Sequence, residues 1–477
     1  MKKLNRRSFL KSTALTAATF SVPARSWAQV AGSNSDVRVA VVGFHGRGGD
    51  HIKALGKADG ARITALCDAD SDVLAGGVKN IAGVESYTDI RKLLESKNVD
   101  AISIATPNHW HALGTIWAIQ AGKDVYVEKP ISHNVSEGRR VVEFARKYDK
   151  IVQTGTQSRS SIEGIKAAVE WVKAGNLGKI KVARGLCSKP RGSIGKVTGP
   201  QPIPANVDYD LWCGPALKLP LMRKKLHYDW HWVWNTGCGD LGNQGIHEMD
   251  VARWFLGVME LSPRILSVGG RLGYVDDGET PNTMIIYHDY PGAPLIFEVR
   301  GLPSTKGSTK MDKYKGADVG IVVECEGGHV TVPSYTAATA YDKDGKVLKQ
   351  FKGSENHHEN WLKAVRNRKK ETLNADILEG HYSSALCHTG NISYRLGVAK
   401  SADETIEGIK GDKGLHEAFS RMSEHLAANG VDIAKEYVTL GVPLRMDPKT
   451  ERFLGDDKAN ELLTRPYRAG FVVPEKA

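Results

Sequence analysis

Residues 43–49 read GFHGRGG, directly after one apolar run and directly before a helix-like stretch. Glycines in such a turn let the backbone approach a pyrophosphate, whose charge then sits on the unpaired N–H groups of the helix N-terminus. Asp68 ends the next apolar run, where a carboxylate takes ribose hydroxyls and repels a 2′-phosphate. The pattern predicts NAD rather than NADP, held by Gly43, His45, Gly46, Arg47, Gly48 and Asp68. His45 departs from the usual pattern, standing where a second glycine is common. Gly46 and Gly48 are expected to supply the backbone freedom instead, and Arg47 to help neutralise the pyrophosphate.

Three later apolar runs also end in polar tips: ATPNHWH (105–111), VEKP (127–130) and TGTQ (154–157). Ligands of open parallel sheets bind outside the carboxyl ends of the strands. Thr106, Pro107, Asn108, His111, Glu128, Lys129 and Gln157 are therefore expected around the cofactor. Lys129 is the most informative of them, because the proline after it restricts its backbone and aims the ammonium into the crevice. Downstream, HYDWHWVW (227–234) alternates rings with polar groups. Tyr228, Trp230, His231 and Trp232 suit the C–H faces and hydroxyls of a sugar; an aromatic core strand or a subunit contact is the alternative. Lys189 and Arg191 lie in the preceding loop region, within reach of substrate oxygens or simply solvated.

The pairs His109/His111 and His357/His358 lack further ligands at convincing spacing, and the six cysteines show no CxxC motif. No metal is expected, and most thiols are expected to be free and buried.

These residues need elements to position them. Short β-branched runs at 37–42, 62–67, 101–105, 124–127 and 151–154 alternate with helical stretches at 50–57, 90–96, 111–121 and 136–147. That alternation predicts an α/β domain with a doubly wound parallel sheet. From about residue 156 the character changes. Helices are expected at 163–173, 247–255, 359–368 and 380–396, a long irregular segment at 188–239, and strands at 264–268, 283–287, 295–299 and 319–323. They predict a second, α+β domain built on a large, mostly antiparallel sheet. The expected division is a signal at 1–28, a linker at 29–36, a nucleotide domain at 37–156, a substrate and oligomerisation domain at 157–430, and a tail at 431–477.

The signal rests on NRRSFLK (5–11), a weakly apolar Ala/Thr/Ser run, and the small-residue end Ser26-Trp27-Ala28. This is a twin-arginine export signal, too short to span a bilayer. It implies the export machinery as a partner, cleavage near Ala28, a periplasmic destination and no stable membrane insertion. The formal charge of +11 includes six basic residues and no acid in 1–28, so the mature chain carries about +5. That is too little, and too dispersed, to predict nucleic-acid binding.

The glycine turn, Glu128-Lys129-Pro130 and GDLGNQGIHEMDVARWFLG (239–257) together resemble the glucose-fructose oxidoreductase, inositol dehydrogenase and MocA (Gfo/Idh/MocA) family. The aromatic segment resembles that of its exported subgroup, which includes NAD-dependent glycosidases of family 109 and sugar 3-dehydrogenases. The resemblance implies that the open sheet of the second domain faces the nicotinamide, and that the chain forms a homo-oligomer, a dimer or tetramer. It also implies that Lys129 and His247 flank the substrate as catalytic residues. The family motif often has an aspartate four residues before the histidine; Asn243 stands there and can hold a hydroxyl but not take a proton. The expected activity is oxidation of a secondary sugar or glycoside hydroxyl, at C3, with tightly bound NAD. A glycosidase working through transient C3 oxidation is the first alternative, and a non-catalytic nucleotide-bound sugar-binding protein the second.

Overall fold

The structure, a computed structural model, describes residues 36–477; the export signal and nearly all of the linker lie outside the described residues. β1 (Val37–Val42) leads into α1 (Arg47–Leu55). Then come β2 (Ala61–Cys67), α2 (Ser71–Asn80), β3 (Glu85–Tyr87), α3 (Ile90–Leu94), β4 (Ala101–Ile104), α4 (Asn108–Gln120), β5 (Asp124–Val127), α5 (Val135–Lys147) and β6 (Val152–Thr154). The six strands pair in parallel in the order β3-β2-β1-β4-β5-β6. The winding reverses between β1 and β4, which opens a crevice at their carboxyl ends. Helices cover both faces, so the central strands read as continuous apolar runs: Val39, Ala40 and Val41 are fully buried. α2 and β3 are additions to the sequence reading. Gly76 and Gly77 blunt the helical pattern of α2, but Asp70 caps it by accepting from the N–H groups of Asp72 and Val73.

A second sheet follows. Its strands are β7 (Ile180–Ser188), β8 (Arg264–Gly270), β9 (Thr283–His288), β10 (Leu295–Arg300), β11 (Val319–Cys325), β12 (Gly328–Val332), β13 (Ala337–Asp342), β14 (Val347–Lys352), β15 (Val398–Lys400), β16 (Val438–Leu440), β17 (Leu444–Asp447) and β18 (Arg452–Phe453). The order is β14-β13-β12-β11-β7-β10-β9-β8-β16-β15, with β17 attached to β8 and β18 to β17. All pairs are antiparallel except β7 with β10. The sequence reading missed β7 because Lys181, Arg184 and Gly185 interrupt its apolar pattern.

Side chains of this sheet alternate between two cores, as the two-residue strand period requires. Ile265, Met284, Ile286, Leu295 and Phe297 pack with α6 (Gly245–Leu256) and α7 (Ile377–Leu396). Leu266, Val268, Ile285, Tyr287 and Ile296 pack with Leu415, Phe419 and Met422 of α8 (Lys413–Ala428). The stretch read as a tail is structural: β16 and β17 extend the sheet, and Phe471 and Val473 enter the core of the first domain. Lys166 ends a π turn over 162–166, so the helix expected at 163–173 is regular only over Ala167–Lys173. All six cysteines are free and buried, and no described helix is long and apolar enough to cross a membrane.

α6 is pinned to the end of β6. Asp250, fully buried on α6, accepts from both Nε and Nη2 of Arg159 at 2.8 Å and from Ser383 Oγ at 2.7 Å. Burial alone would raise the Asp250 pKa, but the Arg159 charge and its hydrogen bonds hold it below the ordinary carboxylate value. Arg253 Nη2 also faces Asp250, at 3.4 Å, so Arg159→Met leaves the buried charge only partly compensated and should cost about 3 kcal/mol, the low end for breaking a buried pair. Urea unfolding at neutral pH reads the loss. Because the folded pKa is depressed, the Asp250 contribution is present above the unfolded value and disappears as pH falls through the folded one.

Candidate active site

The glycine turn is dictated by close approach. Gly43 has φ +74°, and a Cβ there would lie 2.8 Å from the backbone of Thr106 at the tip of β4. A Cβ on Gly48 would stand 2.1 Å from the Gly43 carbonyl oxygen. The turn therefore packs against the neighbouring strand tip, and the N-terminus of α1 opens beside it with no side-chain cap. Asp68 accepts from Phe44 N at 2.9 Å and Asp70 N at 3.0 Å. Burial pushes its pKa up, opposed by those two bonds.

These groups edge a cavity of about 580 Å³ that runs from the turn, past the tips of β4 and β5, to the second domain. Thr106 Oγ1 and Asn108 Nδ2 are buried without a hydrogen-bond partner among the described residues, and both residues line the cavity. A glycine cradle, a carboxylate at the end of β2 and two orphaned polar atoms at the tip of β4 fit a dinucleotide. His111 lines the same wall but spends both nitrogens inside the protein, 2.7 Å from Thr106 O and 2.6 Å from Pro130 O. Arg47 also lines the cavity, and its Nε donates to Glu128 Oε1 at 3.0 Å. Glu128 also faces His51 Nε2 at 3.0 Å. Burial would raise the Glu128 pKa, but the His51 hydrogen bond and the charges of Lys129 and Arg47 hold it well below the carboxylate range.

Lys129 Nζ donates to the main-chain carbonyl of Asn243 at 2.8 Å. Burial lowers its pKa and Glu128 opposes the change. His247, on α6, stands behind the cavity wall rather than in it. Its Nδ1 is buried without a partner among the described residues, and its ring lies 4.9 Å from that of Tyr335. Burial, reinforced by the Lys129 charge, pushes its pKa down to about 3, so the imidazole is neutral and able to accept a proton. Gln157 Oε1 is likewise buried and unpartnered, outside the cavity lining.

The aromatic segment is neither a strand nor uniformly aimed at the cavity. Asp229–Trp232 forms a 3₁₀ turn. Tyr228, 53% exposed at φ +64°, joins Trp230 and His231 in lining the cavity, with the last two stacked at 3.6 Å. Trp232 points away and is buried under the Arg191 guanidinium at 5.0 Å. Arg191 is committed to Asp240 at 2.7 and 2.6 Å and donates to Tyr228 Oη at 2.9 Å. It holds Tyr228 in place rather than reaching into the cavity.

Gln244 lines the cavity and ties two residues behind the wall, Glu248 and Tyr335, to it; none of the three was expected from the sequence. Gln244 Oε1 accepts from Lys189 Nζ at 3.2 Å, while its Nε2 donates to Glu248 Oε1 at 3.0 Å and Tyr335 Oη at 3.1 Å. Glu248 follows His247 in sequence and was findable there; Tyr335 arrives from a loop between β12 and β13 with no local signal. A strap from the second domain also crosses the rim. Ser71 N donates to Asn206 O at 2.8 Å, Asp208 N to Ala69 O at 2.9 Å, and the His227 ring stacks on His45 at 4.4 Å.

Burial pushes Glu248 up to about 8, and its Oε2 has no partner among the described residues. It therefore keeps its proton in the fold at neutral pH, whereas the unfolded chain has lost it. The folded state binds more protons from the unfolded value up to about 8, so this group's contribution to stability falls as pH rises through that window. Glu248→Gln should flatten the fall by the order of a few kcal/mol, measured by urea unfolding at several pH values.

Comparison with known proteins agrees with this geometry. Residues 37–156 match the model of an oxidoreductase family with an NAD-binding Rossmann fold, and residues 179–306 match that family's C-terminal alpha/beta domain. An inositol 2-dehydrogenase of Corynebacterium glutamicum is 31% identical over 165 residues, 34% of this chain and 48% of that one. The chain thus spans about half the length of such curated relatives. An inositol 2-dehydrogenase of Rubrobacter xylanophilus is 27% identical over 69% of this chain and 79% of its own. A glycosyl hydrolase family 109 protein of Shewanella pealeana is 32% identical over 31% of this chain and 38% of its own. The WlbA dehydrogenase from Bordetella pertussis, solved with NADH and UDP-GlcNAcA, shares the fold: TM-score 0.55, 19% identity, 74% of this chain and 94% of that one. The chain belongs to the Gfo/Idh/MocA family of NAD-binding oxidoreductases.

Proposed function

We propose that the protein oxidises a secondary hydroxyl, at C3, of a sugar or glycoside, and that it carries its NAD tightly bound through the twin-arginine route into the periplasm. The observation that carries the reading is the pairing of a Lys129 ammonium, fixed by Asn243 O at 2.8 Å, with a neutral His247 whose Nδ1 has no partner among the described residues. When bound, NAD supplies the acceptor for the hydride that leaves the carbinol carbon. His247, whose ring stands behind the cavity wall, receives the hydroxyl proton through one intervening water. Lys129 donates to the same oxygen and stabilises the negative charge that develops there. Tyr228, Trp230 and His231 stack on the sugar ring, and Lys189, oriented by Gln244, binds a further oxygen. The strap supports cofactor retention, because NAD cannot leave over the rim until the contacts at Asp70, Ser71 and His45 open. The periplasm has no dependable pool of free NAD, so a cofactor reduced there must be reoxidised in place by a keto compound. Oligomerisation as a dimer or tetramer belongs to the same proposal.

The similarity to family 109 glycosyl hydrolases supports a second reading. In it the C3 ketone acidifies the C2 proton, the aglycone leaves by elimination, water adds and the hydride returns.

Purified mature protein, given no added NAD but a keto compound as hydride acceptor and a panel of α- and β-glycosides, separates the two by mass spectrometry. A two-dalton loss with the glycosidic bond intact establishes the dehydrogenase, and free aglycone without net oxidation the glycosidase. No change across the panel overturns both.

Lys129→Met should lower kcat/KM by about 10²–10⁴-fold while the purified protein still carries its nucleotide. The acid limb of kcat/KM assigned to His247 should lie near pH 3, well below the ordinary histidine value of 6.5; a limb at that ordinary value that disappears in His247→Gln would contradict the neutral-base assignment.

A further inference from the structure

The strap brings together three metal-ligating side chains that lie far apart in sequence. His45 in the glycine turn, Asp70 beyond β2 and His227 on the strap each offer one ligand atom, all within 4.8 Å of one another. His227 Nε2 stands 3.2 Å from Asp70 Oδ2. That is close to the separation of neighbouring ligands on a tetrahedral zinc, about 3.3 Å for bonds of about 2.0–2.1 Å. The carboxylate is already oriented for the task. Its Oδ1 accepts from Asp72 N at 3.0 Å, Val73 N at 3.2 Å and Asn206 Nδ2 at 2.7 Å, while Oδ2 faces His227. Such outer contacts fix a ligand's direction before a metal arrives. The His45 ring now lies face to face with His227, 15° from parallel, so it does not yet aim a nitrogen at the other two. It is exposed, with open space beside Gly46. Coordination requires a turn of its side-chain bonds that brings the ring edge-on.

We infer that His45, Asp70 and His227 bind a zinc ion that clasps the strap to the dinucleotide turn and slows the loss of NAD. Two imidazoles and one carboxylate with an open fourth position suit a borderline cation such as Zn²⁺, whereas Mg²⁺ and Ca²⁺ favour all-oxygen sets. The site joins two parts of the chain that must separate for a nucleotide to leave, and it gives His45 a reason to stand where a glycine is usual. The clasp's role rests on the proposed cofactor retention; the existence of the metal site does not. It departs from the expectation of no metal, which rested on ligand spacing along the sequence.

The test uses tag-free mature holoenzyme, freed of metal with a chelator, then given Zn²⁺ or Co²⁺ and gel-filtered. One metal per chain is expected, with the visible absorption of four-coordinate Co²⁺. Both signals should vanish in His45→Ala and in His227→Ala and persist in His416→Ala, whose ring lies on α8 of the second domain. No retained metal, or metal retained equally by the first two variants, overturns the site. Release of bound NAD after dilution, followed by mass spectrometry of the nucleotide, should slow about tenfold with Zn²⁺ in the wild type and not in those variants. An unchanged release rate overturns the clasp. Turnover of glycosides is assayed separately, so a failed clasp leaves the oxidoreductase reading standing, and a failed oxidoreductase reading leaves the metal count intact.

Discussion

The site is organised around one buried negative charge. Glu128, at the tip of β5, holds Arg47 of the glycine turn and His51 of α1 at 3.0 Å each. A carboxylate buried at this depth is stable only when several donors converge on it. Gly155 at the tip of β6 leaves room for it, since a Cβ there would stand 2.9 Å from the carboxyl group. Three elements that are remote in sequence are therefore bound to one point. The neighbouring Lys129 emerges on the cavity side of the same charge, and the second domain meets it through Asn243 O.

Desolvation sets the protonation states around that point. The same burial drives His247 down to about 3, Glu248 up to about 8, and Lys129 below its ordinary value. The result is an unprotonated imidazole and a protonated carboxyl on either side of the ammonium proposed to bind the alcohol oxygen. α6 supplies two of these groups, and its orientation depends on the Arg159–Asp250 pair and on the two-sided sheet beneath it. Chemistry at the crevice thus rests on packing in the second domain.

Much of this was legible beforehand because it is local. The glycine turn, Asp68 and the polar tips of β4 to β6 lie where strand-helix alternation places them. His247 needed the resemblance as well, since a lone histidine on a helix is ordinary core. The illegible parts are those in which one side chain takes another's place. Arg47 serves Glu128, Arg191 serves Asp240 and Tyr228, and Trp232 packs under Arg191 instead of facing the cavity. Residue type indicated a charge or a ring at each position, but only packing distinguishes a group that meets a ligand from one that orients its neighbour. β7 was hidden by Lys181, Arg184 and Gly185; Arg184 binds Glu417 of α8 at 2.6 Å, and Gly185 admits Phe297 of β10 and Glu248 of α6.

By itself the sequence determined a parallel nucleotide-binding sheet, a larger antiparallel domain and the residue types of a hydride-transfer site, because each is written in periodicity or in a motif only a few residues long. Tertiary structure alone decided that Tyr335 meets Gln244 behind that site and that residues 431–477 are framework. It also decided that His45 and Asp70 meet His227 across more than 150 intervening residues. Contacts of that sequence separation are set by the packing of whole elements, and no local pattern in the chain encodes them.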